Sequence, residues 1–157
     1  MKFISLFLCT VLILVGCSDV VSSETSDPLC KRIRADLREV SKDLIYMSEH
    51  DSTWEWWANF AYQESVLPQP DRFAAMMGNR GKSVEVRDFD EYFKWSSTGG
   101  PYAPRYRDLI KTFKENYSNL IVYKVYQPKS TVDVYVIGIR SDGKCGISGL
   151  KTTTVET

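Results

Sequence analysis

Val132-Asp133-Val134-Tyr135-Val136-Ile137-Gly138-Ile139 is nearly continuous in β-branched and aromatic residues and reads as the central strand of a sheet. Leu120 to Tyr126 lies just before it and reads as a neighbouring strand. Ser141-Asp142-Gly143-Lys144 follows, with the Asp-Gly signal of a hairpin turn. A last extended segment runs from Leu150 to Val155 and on to Thr157.

Working outward, Asp27 is a good helix N-cap and Pro28 suits the first helical position. Leu29, Ile33, Leu37, Val40, Leu44 and Met47 then recur at helical spacing, which predicts one amphipathic helix ending near Ser48-Glu49-His50-Asp51. Trp54 to Phe60 is aromatic-rich and reads as a strand. Pro68 and Pro70 precede a short helix from Asp71 to Met77, closed by Gly78. Lys82 to Val86 reads as a short strand, and Asp88 caps a helical turn through Phe93. Ser96 to Pro101 reads as a loop, after which Pro104 starts a helix with Tyr106, Leu109, Ile110, Phe113 and Tyr117 on one face. Helices and strands mix without regular βαβ alternation. The expected class is α/β, a sandwich with a mainly antiparallel central sheet.

The N-terminus carries an address. Lys2 precedes an apolar run from Phe3 to Val15, too short to cross a bilayer core of about 30 Å, and Leu14-Val15-Gly16-Cys17 is the pattern read by bacterial lipoprotein processing. Residues 1–16 are therefore expected to be a signal peptide and Cys17 the lipidated first residue of the mature protein. An ordinary signal peptide or an uncleaved anchor are the alternatives. Residues 17–27 would form the lipidated Cys and a polar, serine-rich tether, leaving residues 28–157 as one domain. Ser18 after the acylated Cys points to the outer membrane of the cell envelope, facing the periplasm. Membrane attachment is expected only through the lipid on Cys17.

The chain holds 20 basic and 20 acidic side chains, a balance that gives no basic face for direct nucleic-acid binding. Cys9 leaves with the signal and Cys17 takes lipid, so Cys30 and Cys145 remain; in an exported domain they are expected to pair, two free buried thiols being the alternative.

Little resembles catalysis. His50 is the single histidine, and Glu49-His50-Asp51 reads either as a solvated turn or as a metal or proton site. Trp54, Trp56 and Trp57 read as core or as a ligand box. No enzyme activity and no cofactor are expected. Val155-Glu156-Thr157 ends a β-prone run with a hydroxyl, a side-chain carboxylate and a terminal carboxylate, hard donors of the kind Mg²⁺ accepts.

Leu44-Ile45-Tyr46-Met47-Ser48-Glu49 before an aromatic strand, Val132 to Gly138, Gly149-Leu150-Lys151-Thr152 and the terminal Val155-Glu156-Thr157 together resemble the nuclease A inhibitor-like family over about residues 30–157. The resemblance implies an α-β-α sandwich that plugs the active site of an exported, metal-dependent, sugar-non-specific nuclease. It implies Thr157 as the residue facing the nuclease metal, with Glu156 beside it, and Glu49 as an acidic contact for a basic group. A third contact, near Tyr102, departs from the family pattern, because Gly100 or Pro101 stands where that pattern has an amide side chain. Extra residues around Cys145 to Ser148 are a second departure. A monomeric inhibitor is the expectation, and a lipoprotein binding module with a non-nuclease protein partner is the alternative.

Overall fold

A computed structural model describes residues 27–49 and 51–156. The expectations for residues 1–26, Cys17 included, for His50 and for Thr157 lie outside them. The elements are α1 (Pro28–Ser41), β1 (Ile45–Tyr46), β2 (Ser52–Thr53), β3 (Glu55–Asn59), α2 (Pro70–Met76), β4 (Val84–Arg87), α3 (Phe89–Thr98), α4 (Ala103–Asn116), β5 (Asn119–Tyr126), β6 (Thr131–Ile139) and β7 (Ile147–Val155). The main sheet has the order β3-β7-β6-β5-β4, with every pairing antiparallel, and β1 with β2 forms a small separate ladder.

β6 lies in the middle, and the strict two-residue period of a strand explains why it is apolar almost throughout. Val132, Val134 and Val136 pack into one core with residues of α1, α3 and α4, among them Ile33, Leu37, Phe93, Leu109 and Phe113. Tyr135, Ile137 and Ile139 pack on the other face with Phe73 of α2. The result is an α-β-α sandwich. The Trp cluster divides the same way. Trp54 is buried with the first core and Trp56 packs against it, whereas Trp57 meets Phe73 and Tyr135 on the second.

Two boundaries differ from expectation. α1 stops at Ser41, although its apolar spacing continues through Leu44 and Met47. Asp43 takes a φ of +55°, and the Arg105 guanidinium donates to the carbonyl oxygens of Lys42 and Asp43. The Tyr106 hydroxyl donates to the Ile45 carbonyl at 2.9 Å. Partners from α4 thus take carbonyls in the stretch where the helix was expected to continue, and the chain turns into β1. Conversely, α3 runs through Ser96-Ser97-Thr98, where the Trp95 carbonyl accepts from the Gly99 amide and the Ser97 carbonyl accepts from Arg107 of α4 at 2.9 Å, so these carbonyls of the last turn are satisfied.

Cys30 and Cys145 are bonded, Sγ to Sγ at 2.01 Å, across a sequence separation of 115. The bond ties the first turn of α1 to the β6–β7 connection. There Gly146 has a φ of +60°, and a Cβ on it would fall 2.2 Å from the Asn59 carbonyl oxygen, so only glycine fits.

Buried tyrosines give the domain an alkaline limit. Burial pushes the hydroxyls of Tyr106 and Tyr123 up to about 12 and raises that of Tyr117 as well. The unfolded chain ionises its tyrosines near pH 10 while the folded chain holds these neutral, so this stability is complete below about pH 10 and is lost as pH rises toward about 12. Thermal melts from pH 9 to 12, followed with absorbance at 295 nm, should show unfolding and tyrosine ionisation arriving together. Ionisation of all the tyrosines near pH 10 in a chain that stays folded would contradict this.

Candidate functional site

One end of the sandwich gathers the sequence features that carry no role in the core. β7 reaches it first. Val155 pairs with Thr131, and the Glu156 amide donates to the Ser130 carbonyl at 2.9 Å. Ser130 and Lys129 form the β5–β6 turn with φ values of +59° and +65°, conformations that cost a non-glycine residue about 1–2 kcal/mol each. The turn therefore stores strain where it holds the end of β7.

Beneath that end sits Lys124, a lysine with 9% relative exposure in an otherwise apolar strand. Its Nζ is 2.6 Å from Glu156 Oε1 and 2.8 Å from Oε2, and 3.7 Å from Glu85 Oε2. Burial works against the ammonium, and the hydrogen bond and charge of Glu156, with Tyr126 and Glu85, outweigh it and raise the Lys124 pKa. The Tyr126 hydroxyl donates to Glu85 at 2.7 Å and, with Lys124 and Arg87 helping against desolvation, lowers the Glu85 pKa. Lys124 and Glu85 are both charged at neutral pH, which fits a buried ammonium between two carboxylates. The Glu156 side chain is thus an internal anchor that ties the residue after β7 to β5.

Glu49 lies in the β1–β2 connection and not at a helix end. Ile45 pairs with Thr53 and Tyr46 with Ser52, so Met47, Ser48, Glu49 and Asp51 lie in the connection between β1 and β2. Neighbouring elements hold the hairpin. The Thr152 hydroxyl of β7 donates to the Thr53 carbonyl at 2.9 Å. The Tyr46 ring stands edge-on to Trp54 at 5.5 Å and lies parallel to Tyr92 at 6.4 Å. The Tyr92 hydroxyl donates to that of Tyr46 at 2.8 Å. Tyr92 is also close enough to Glu156 to feel its charge: burial first, then Tyr46 and Glu156, push its pKa far above the usual tyrosine value.

Tyr102 is the N-cap residue of α4 and is half-buried against the first core. The loop before it is short and open: Gly99, Gly100 and Pro101 are exposed, and Gly100 has a φ of +83°. Because Arg105 and Tyr106 of α4 bond to residues 42 to 45, this loop adjoins the root of the β1–β2 hairpin. Hairpin, loop and β7 end therefore share one end of the molecule, opposite the Cys30–Cys145 bond. The polar anchor of that end was not anticipated. A lysine at an inward position of Leu120-Ile121-Val122-Tyr123-Lys124-Val125 was the available signal, since a buried ammonium requires a carboxylate partner.

The arrangement sets the exposed Glu49 carboxylate in a hairpin that is tied to β7 through Thr53 and Thr152. Comparison with curated proteins gives no match. The family model described as nuclease A inhibitor-like protein matches residues 31–157, which span the whole described sandwich apart from the first residues of α1. On that match, the chain belongs to the nuclease A inhibitor-like family.

Proposed function

We propose that this chain is a protein inhibitor of an exported, metal-dependent, sugar-non-specific nuclease, held at the cell envelope by lipid on Cys17 after removal of residues 1–16. The last residues after β7 enter the nuclease active site, and Thr157 supplies oxygen donors to the metal there. A divalent metal stabilises charge in phosphodiester cleavage, and occupation of its open position blocks the reaction without chemistry from the inhibitor. Glu49 pairs a basic group of the nuclease from the neighbouring hairpin, and Tyr102 lines the same face. Glu156 acts by holding Lys124.

The observation that supports this reading most is the Lys124–Glu156 pair at 2.6 Å, which ties down the residue that follows β7. A strand end without such an anchor frays and gains no preorganisation. The exposed Gly99-Gly100-Pro101 loop favours a second reading, a lipoprotein binding module with a non-nuclease protein partner, because it offers no amide side chain for contact.

Titrating a Mg²⁺-dependent sugar-non-specific nuclease with the purified chain separates the two. Loss of cleavage of both DNA and RNA near one equivalent is expected, and full activity at large excess would sink the inhibitor reading. Palmitate labelling tests the tether: wild type should be labelled and Cys17→Ser should not.

A further inference from the structure

Among the described residues, the large apolar side chains left most open to water are Trp95, Val66, Met47, Val86 and Tyr126, at 84, 61, 58, 42 and 37% relative exposure. The two valines belong with the α2 face. Val86 alternates with Glu85 and Arg87 on β4, and Val66 precedes Leu67, which packs on the second core. The other three border the end described above. Met47 follows Tyr46 in the β1–β2 turn, and Tyr126 stands over Lys124, with Nζ 5.6 Å from its ring centre. Trp95 lies on α3, one turn beyond Tyr92.

Its placement on the helix is deliberate in physical terms. Phe93 points into the core at 1% exposure, and a residue two positions later on a helix faces the opposite way. Tyr92 lies against Tyr46, and Trp95, three positions on, is its neighbour along the surface of α3. The backbone there is fixed: the Trp95 carbonyl accepts from the Gly99 amide at 3.3 Å, and Arg107 of α4 donates to the Ser97 carbonyl at 2.9 Å. An indole on a rigid helix offers a large amphipathic surface with little entropy to lose on binding. Tryptophan is also the side chain most often found to dominate a protein interface.

We propose that Trp95 is the apolar anchor of the partner interface, seated in a recess on the rim of the nuclease cleft while the β7 end occupies the cleft itself. This rests on the inhibitor reading and adds to it a residue that sets affinity and partner choice. The chain-end oxygens and Glu49 are polar, and polar groups gain little net free energy on leaving water. Burial of the indole supplies the surface that the polar plug lacks. The occupant is a nuclease and not a second copy of this chain, because the exposed apolar side chains adjoin the proposed plug and a self-association there would cover it.

The purified full chain and its Trp95→Ala, Trp95→Phe and Val66→Ala variants would be titrated into a Mg²⁺-dependent sugar-non-specific nuclease, with melting temperature and oligomeric state measured for each. Trp95→Ala should raise the inhibition constant about 30-fold or more. Trp95→Phe should stay within a few-fold of wild type, and Val66→Ala should match it. Melting should be unchanged in all, since the indole lies outside the core. Wild-type inhibition that Trp95→Ala leaves intact would overturn the anchor and leave the inhibitor reading standing. No inhibition by wild type would overturn both. A Trp95→Ala variant that melts lower, or that turns a dimer into a monomer, would assign the indole to folding or self-association and overturn the anchor.

Discussion

Reduction of the Cys30–Cys145 bond should cost the domain about 4–5 kcal/mol of stability, the figure that loop-closure entropy gives for a closed loop of more than a hundred residues. Native-state strain makes this an upper-end value. For a domain of about 130 residues it corresponds to a fall in Tm of roughly 10–20 °C. Differential scanning calorimetry with and without reductant, repeated on Cys30→Ala/Cys145→Ala, reads the effect directly. The oxidised protein should also resist alkylation until reduced. Because the bond lies at the end away from the β1–β2 hairpin, binding measured well below the lowered Tm should be unchanged. Equal melting of oxidised and reduced protein would contradict the assignment, as would a loss of binding in the reduced but folded chain.

Glu49→Ala should weaken binding of the nuclease by about 2–5 kcal/mol, mostly through faster dissociation, if its carboxylate meets a buried basic group. Thr157→Gly should act in the same assay by removing a metal-facing hydroxyl. A tag joined after Thr157 should be worse, because it fills the space beyond the plug. Removal of Val155-Glu156-Thr157 together does not isolate the contact. It strips Lys124 of its nearer carboxylate and leaves a buried ammonium facing Glu85 alone at 3.7 Å, so loss of stability would mix with loss of contact. Surface plasmon resonance on Glu49→Ala, with unchanged melting as control, is the clean measurement. An unaltered dissociation rate would remove Glu49 from the interface.

The middle of the sheet was readable from local pattern, whereas the pairing of β3 with β7 joins segments some ninety residues apart. β6 carries its own evidence in a run of β-branched residues, and the Asp27–Pro28 and Asp88 caps mark the starts of α1 and α3, where both side chains accept backbone amides. The end of α1 was not readable. Leu44 keeps the helical period and is fully buried, but it reaches the core from a turn, since Arg105 and Tyr106 act on this segment from some sixty residues away. β1 and β2, at two residues each, have no periodicity to detect. Hence Glu49 was placed at a helix end and proved to sit on a hairpin. Ser96-Ser97-Thr98 has loop composition, and the helix end there is met by Arg107 of α4, a partner ten residues on from Ser97. Trp95 illustrates a further limit. An indole in an aromatic-rich sequence is normally core, and its exposure emerges only once the phase of α3 is known.

The central claim is that this chain and a nucleic-acid substrate compete for one nuclease cleft. Its most direct test is the apparent Kd of the chain for a Mg²⁺-dependent sugar-non-specific nuclease, measured across increasing concentrations of a cleavage-resistant phosphorothioate oligonucleotide. The account predicts an apparent Kd that rises in proportion to oligonucleotide occupancy, without a plateau. An apparent Kd that stays constant while the oligonucleotide fills the active site would contradict it.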